Sequence, residues 1–173
     1  MPLGRSQARG RPKTHPESPE LTDPSAARLA ALRLLAGRDY APLELCERLK
    51  GRGFAAPLVA ELVSELVAEG AVNESRYAEH YVAAHAGRGQ GPVRIAAALR
   101  KHGLAAELIE AALASREDWA ELARKLCRAK FGREPPGSWR EKARQMRFLQ
   151  YRGFSADHIR AATGADPDWT EQT

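Results

Sequence analysis

Two groups of residues in this chain could do chemistry by type and spacing: the histidines near Glu79 and the arginines between positions 140 and 152. Glu79-His80 followed by His85 has the outline of a zinc-protease helix, where two imidazoles hold the ion and a carboxylate activates its water. That chemistry needs histidines four apart. Here they are five apart, roughly 140° around a helix, so they do not share an ion and no metal is expected. Gly87-Arg88-Gly89-Gln90-Gly91 resembles a dinucleotide loop, but it follows helical sequence where that fingerprint requires a strand. It reads as a flexible helix connection. Neither a GxxxxGK[ST] phosphate loop nor a GxSxG elbow occurs. Cys46 and Cys127 belong to no CxxC or Cys/His cluster, which argues against a disulfide scaffold or zinc site and for a reducing cytoplasm. Glu61, Glu65 and Glu69 are spaced along a helix face as solvated charges. The expectation is a protein that is not an enzyme, with no catalytic residues and no cofactor.

The arginines point instead to binding. Of the formal net charge of +5, the excess sits in one region: residues 119–160 hold eleven basic and four acidic side chains, whereas residues 27–118 hold twelve of each. Such a region builds a positive surface with a short-range pull on phosphates or on an acidic protein face. At 100° per residue, Arg140, Arg144, Arg147 and Tyr151 fall within about 40° of one line on a helix. One helix face is then basic and aromatic. Uneven charge on an ordinary solvated surface is the other reading of the same pattern.

The elements that position these residues are helices in a repeated arrangement. Offset by 50, the chain matches itself twice: Leu49, Leu99 and Leu149 coincide, as do Gly53, Gly103 and Gly153, then Phe54, Leu104 and Phe154, then Val59, Ile109 and Ile159. Repeats near this length are helical units that bury their apolar faces on one another. The punctuation gives three helices per unit. Asp23-Pro24, Asn73 and the Ser138/Glu141 pair open helices, and Pro42 and Gly91-Pro92 open the second helix of the first two units. Gly53, Gly103 and Gly153 are turn devices, placed where a helix end adopts a left-handed backbone that glycine accepts. No alternating apolar segment calls for a strand. The fold expected is all-α: an elongated, curved array of three tandem three-helix repeats over residues 25–72, 73–116 and 117–164. A disordered basic and proline-rich arm at 1–24 and a flexible acidic tail at 165–173 flank it. No run longer than eight residues lacks a charged side chain, so no membrane partner is expected.

The constant offset lets the second helices be compared position by position. Their core sides are 45, 46 and 49, then 95, 96 and 99, then 145, 146 and 149. The opposite face carries Glu44 and Glu47 in the first unit, Arg94 and Lys101 in the second, and the arginine line in the third. That gradient suits a protein lying along a polar filament or groove. Helix-turn-helix DNA reading is the competitor, but the third helices open with Ala55-Ala56-Pro57, Ala105-Ala106-Glu107 and Ser155-Ala156-Asp157, which are poor readers of base edges.

The segment from Asn73 to Val82, then Gly89-Gln90-Gly91-Pro92-Val93-Arg94-Ile95 with Leu99 and Gly103, and the run from Lys142 to Ser155, together resemble the RecX family of bacterial recombinase regulators. The resemblance covers about residues 26 to 164. It implies a monomeric array that binds RecA and the helical filament RecA forms on DNA, lies in the filament groove, and lowers its ATPase, strand-exchange and coprotease activities. On that reading the contact residues are Arg94, Lys101, Arg140, Arg144, Arg147 and Arg152, and direct contact with single- or double-stranded DNA stays open. The alternative is a nonspecific DNA-binding helical protein without a RecA partner.

Overall fold

A computed structural model of the chain describes residues 21–116 and 118–164. The acidic tail, and the arm apart from Leu21–Pro24, lie outside the described residues. Among the described residues there are nine helices and no strand. The first unit holds α1 (Pro24–Leu35), α2 (Pro42–Lys50) and α3 (Ala56–Ala68). The second holds α4 (Glu74–Gly87), α5 (Pro92–Lys101) and α6 (Ala106–Ala114), and the third holds α7 (Trp119–Phe131), α8 (Trp139–Arg152) and α9 (Ala156–Thr163).

Local sequence explains the helix starts. The Asp23 carboxylate accepts from the Ser25 amide at 2.9 Å, and Pro24 begins α1 with no amide to leave unpaired. Asn73 caps α4 through the Arg76 amide at 2.9 Å. At α8 the Ser138 hydroxyl accepts from the Glu141 amide, and the Glu141 carboxylate reaches one residue past the usual capping-box donor to the Gly137 amide at 2.8 Å.

Each unit buries the same register. Leu49, Leu99 and Leu149 are wholly buried, and Phe54, Leu104, Phe154, Val59, Ile109 and Ile159 are buried with them. Burying a leucine or isoleucine side chain contributes on the order of 2 kcal/mol, so this shared set anchors each unit. The apolar cores are not three equal parts, however. The first unit has a core of its own around Leu45, Leu49, Val63 and Leu66. Those of the second and third units merge into one cluster that runs from Tyr77 to Ile159 and takes in Ala41 from the first.

The units meet through their second helices. The Gly153 turn that ends α8 lies on the first turn of α5, where the Gly91 amide donates to the Arg152 carbonyl at 2.8 Å and the Val93 amide to the Gly153 carbonyl at 3.0 Å. A methyl group on Gly91 would overlap the Gly153 carbonyl, and one on Gly153 would overlap the backbone of Arg94. Gly89 to Gly91, both glycines buried, is therefore a packed joint and not the flexible connection that the composition of this segment suggests. The joint between the first two units is built differently: the Leu43 side chain of α2 lies over the Gly103 turn that ends α5.

The open end of the array is closed from the arm side. Leu21 donates from its amide to the Gly53 carbonyl at 2.8 Å and accepts from the Ala55 amide at 3.1 Å. This short pairing puts Leu21–Pro24, included by sequence in the arm, into the ordered first unit.

Candidate interaction face

Helix α8 shows its polar side to solvent over most of its length. Arg140, Arg144, Arg147 and Tyr151 are exposed, Tyr151 to 79%, while Leu149 and Gln145 on the opposite side are buried. Because the end of α8 lies on the start of α5, the face continues into the second unit. The Arg94 guanidinium stands over the Tyr151 ring at 5.9 Å from its centroid and donates to the Tyr151 carbonyl at 3.4 Å. Lys101 is exposed seven residues further along α5, two turns on and on the same side as Arg94.

None of Arg94, Lys101, Arg140, Arg144, Arg147 and Arg152 forms an ion pair with a carboxylate among the described residues. Elsewhere pairs are common: Arg124 and Arg128 on α7 share Glu121, whose carboxyl those arginines hold below its ordinary range.

Arg152 is the exception in position. It is half-buried, donates to the Arg88 carbonyl at 3.2 Å, and lies 5.3 Å from the Phe148 ring centroid. It clamps the second joint from the side and does not stand in the arginine line. The structure also shows a group the sequence reading omitted: Phe131 and Phe148 pack edge to face, with Lys130 4.2 Å above Phe148 and Arg144 5.8 Å from Phe131. These cations are held over ring faces, an arrangement worth about 0.5–1 kcal/mol each at exposed sites. Spacings of +13, +17 and +18 join this cluster across two helices, and periodicity within one helix does not reveal them.

The histidines belong to the other joint. The His80 Nδ1 lies 2.8 Å from Asp39, which also accepts from Arg76 at 2.6 Å. His85 stacks on Tyr81 at 4.0 Å between centroids and meets Gln90 at 3.0 Å. With His102, Tyr77 and Arg88 they line a cavity of about 550 Å³ between the first and second units. Burial pushes the Tyr77 hydroxyl up to about 12, so it stays protonated at neutral pH. No group of three or more histidines, cysteines or carboxylates among the described residues is arranged to hold a metal ion.

The Arg76 hydrogen bond, with His80 adding to it, holds the Asp39 carboxyl below its ordinary range. A depressed carboxylate contributes stability above its unfolded pKa, and that contribution is lost as pH falls through the lower folded value. Asp39→Asn is therefore expected to lower Tm by a few degrees at pH 7. The gap between variant and wild type should close as the pH is taken below about 4, near the ordinary aspartate value and beyond. Thermal melts at pH 7, 5 and 3 check this; a gap that is constant with pH would contradict the role given to the carboxylate charge.

Comparison with known proteins is consistent across sequence and structure. The family model for the second three-helix domain of RecX matches residues 73–113, and that for the third matches residues 116–163. The regulatory protein RecX of Halorhodospira halophila is 45% identical over 141 residues, covering 81% of this chain and 88% of that protein. That of Pseudomonas savastanoi pv. phaseolicola is 43% identical over 142 residues, with 80% and 90% covered. The crystal structure of RecX from Lactobacillus salivarius superimposes with a TM-score of 0.70 at 25% identity, covering 80% of this chain and 93% of that one.

Proposed function

Because the chain belongs to the RecX family of regulatory proteins, we propose that it binds RecA and the RecA–DNA filament and restrains the filament's ATPase, recombinase and coprotease activities in DNA repair and the SOS response. The observation that carries this reading is the exposed cationic face running from α8 onto α5, which meets no carboxylate among the described residues, with Arg140, Arg144, Arg147 and Arg94 flanking an exposed Tyr151. Tyrosine and arginine dominate the energetics of protein interfaces, and a one-sign face draws an acidic partner from a distance. The role is regulatory and not catalytic: the chain acts as a monomer in the cytoplasm, by occupying a groove. Among the described residues no helix is long and apolar enough to cross a membrane.

The test is titration of the protein into preformed RecA filaments on single-stranded DNA, following ATP hydrolysis at fixed salt. Hydrolysis is expected to fall to a plateau as the protein saturates the filament. If hydrolysis falls only in proportion to free DNA removed, and extra DNA restores it fully, the protein is a DNA competitor and the RecA reading fails. A direct DNA contact through the same face predicts, in addition, binding to bare DNA that weakens steeply with salt.

A further inference from the structure

The two joints of the array differ in kind, and the stiffer one lies between the two units that carry the cations. At the first joint the contacts are side chains: Leu43 over the Gly103 turn, Asp39 with Arg76 and His80, and a cavity of about 550 Å³ beside them. Side chains can rearrange, and the cavity gives them room. At the second joint backbone lies on backbone, with two amide–carbonyl hydrogen bonds, an Arg152 clamp on Arg88, and one apolar core shared by both units. The backbone contacts there cannot yield without moving a unit. The direct outcome of that fit is the placing of Arg94, from α5, over Tyr151, from α8.

We infer that Gly91 is a positioning residue for the interaction face: by letting α5 seat directly on the Gly153 turn, it makes the cations of the second and third units one preorganised surface. This rests on the reading of the face as the filament contact. A surface already fixed in its binding geometry loses less conformational freedom on association than two units that must be aligned each time. Gly91 suits the test because its φ of −85° is open to any residue. Gly91→Ala therefore meets no left-handed backbone, and its largest effect is the methyl pressed against the Gly153 carbonyl.

The experiment is a double-mutant cycle on filament affinity with Gly91→Ala, Arg94→Glu and the combination, each checked for folding by circular dichroism. Arg94→Glu in the native background is expected to weaken binding about 10-fold, and Gly91→Ala by a similar factor. The combination should be no weaker than Gly91→Ala alone, because Arg94 has already left Tyr151. If the two losses multiply, or if Gly91→Ala binds like the wild type, the joint has no positioning role and the inference is overturned. Should Gly91→Ala fail to fold, Arg152→Gln gives the same cycle, since it removes the clamp without adding an atom at the contact. Losses that multiply with Arg94→Glu there would mean that Arg152 touches the partner itself, and would equally overturn the inference. The two levels separate cleanly: a wild-type protein that does not bind the filament ends the functional reading, whereas binding with multiplicative losses ends only the role of Gly91.

Discussion

Glutamate at Arg140, Arg144 and Arg147 together is expected to weaken filament binding by roughly 100-fold or more at low salt, with Tm lowered by no more than about 2–4 °C. The three arginines are exposed and meet no carboxylate among the described residues, so no ion pair there depends on them. Like charges three and four residues apart repel equally in either sign, so the main cost of reversal is the Arg144 contact with the Phe131 ring, partly offset by glutamate in place of Arg140 near the start of α8, where the helix dipole favours it. Reversal therefore strips the face of its sign at small cost to the fold. Measured at 50 and 300 mM salt, the gap between wild type and variant should narrow, because exposed charges more than a Debye length from their partner are screened. A folded variant that still inhibits RecA ATP hydrolysis like the wild type would remove these three residues from the interface.

Much of this architecture can be read in the sequence because a 50-residue repeat places the same residue types at the same structural positions. Leu49, Leu99 and Leu149 are wholly buried, and the helix starts at Asp23-Pro24, Asn73 and Ser138 follow from capping chemistry that is local in the chain. The arginine line on α8 is legible for the same reason, since a helix converts spacing into direction. What the sequence hides is contact between units. The contacts of Asp39 with Arg76 and His80, and of Arg94 with Tyr151, join residues 37 or more positions apart whose types are unremarkable. Glycine-rich composition between Gly87 and Gly91 suggests slack, yet at Gly91 the Gly153 backbone approaches too closely for a side chain, and Gly89 turns with a φ of +77°. Composition does not distinguish freedom from crowding. Arg152 shows the same limit: helix geometry sets it about 120° from Arg140, but only the neighbouring Arg88 carbonyl fixes it at the joint.

The three equivalent turn glycines separate backbone strain from crowding, and their alanine variants are expected to differ in a fixed order. Gly53, Gly103 and Gly153 have φ of +92°, +83° and +88°, so each substitution meets a left-handed backbone that costs about 1 kcal/mol or more. At Gly53 no further atom among the described residues lies in the way, and Gly53→Ala should lose about 1 kcal/mol only. At Gly103 the new methyl meets the Leu43 side chain, which is 54% exposed and free to turn aside, so the added cost stays below that of a rigid clash. At Gly153 it meets the amide nitrogen and Cβ of Arg94, which move only if α5 moves, and the total should reach about 2–4 kcal/mol. For a chain of this size that is a Tm lower by roughly 5–15 °C, against a few degrees for Gly53→Ala. Trp119 and Trp139 lie in the third unit, so their fluorescence follows that end of the array while circular dichroism follows the whole. Gly153→Ala is expected to shift the fluorescence transition below the circular dichroism transition, as a loosened joint lets the third unit open ahead of the rest. Equal losses for all three variants would mean that backbone strain alone sets these positions and that the seating of α8 on α5 contributes nothing to stability.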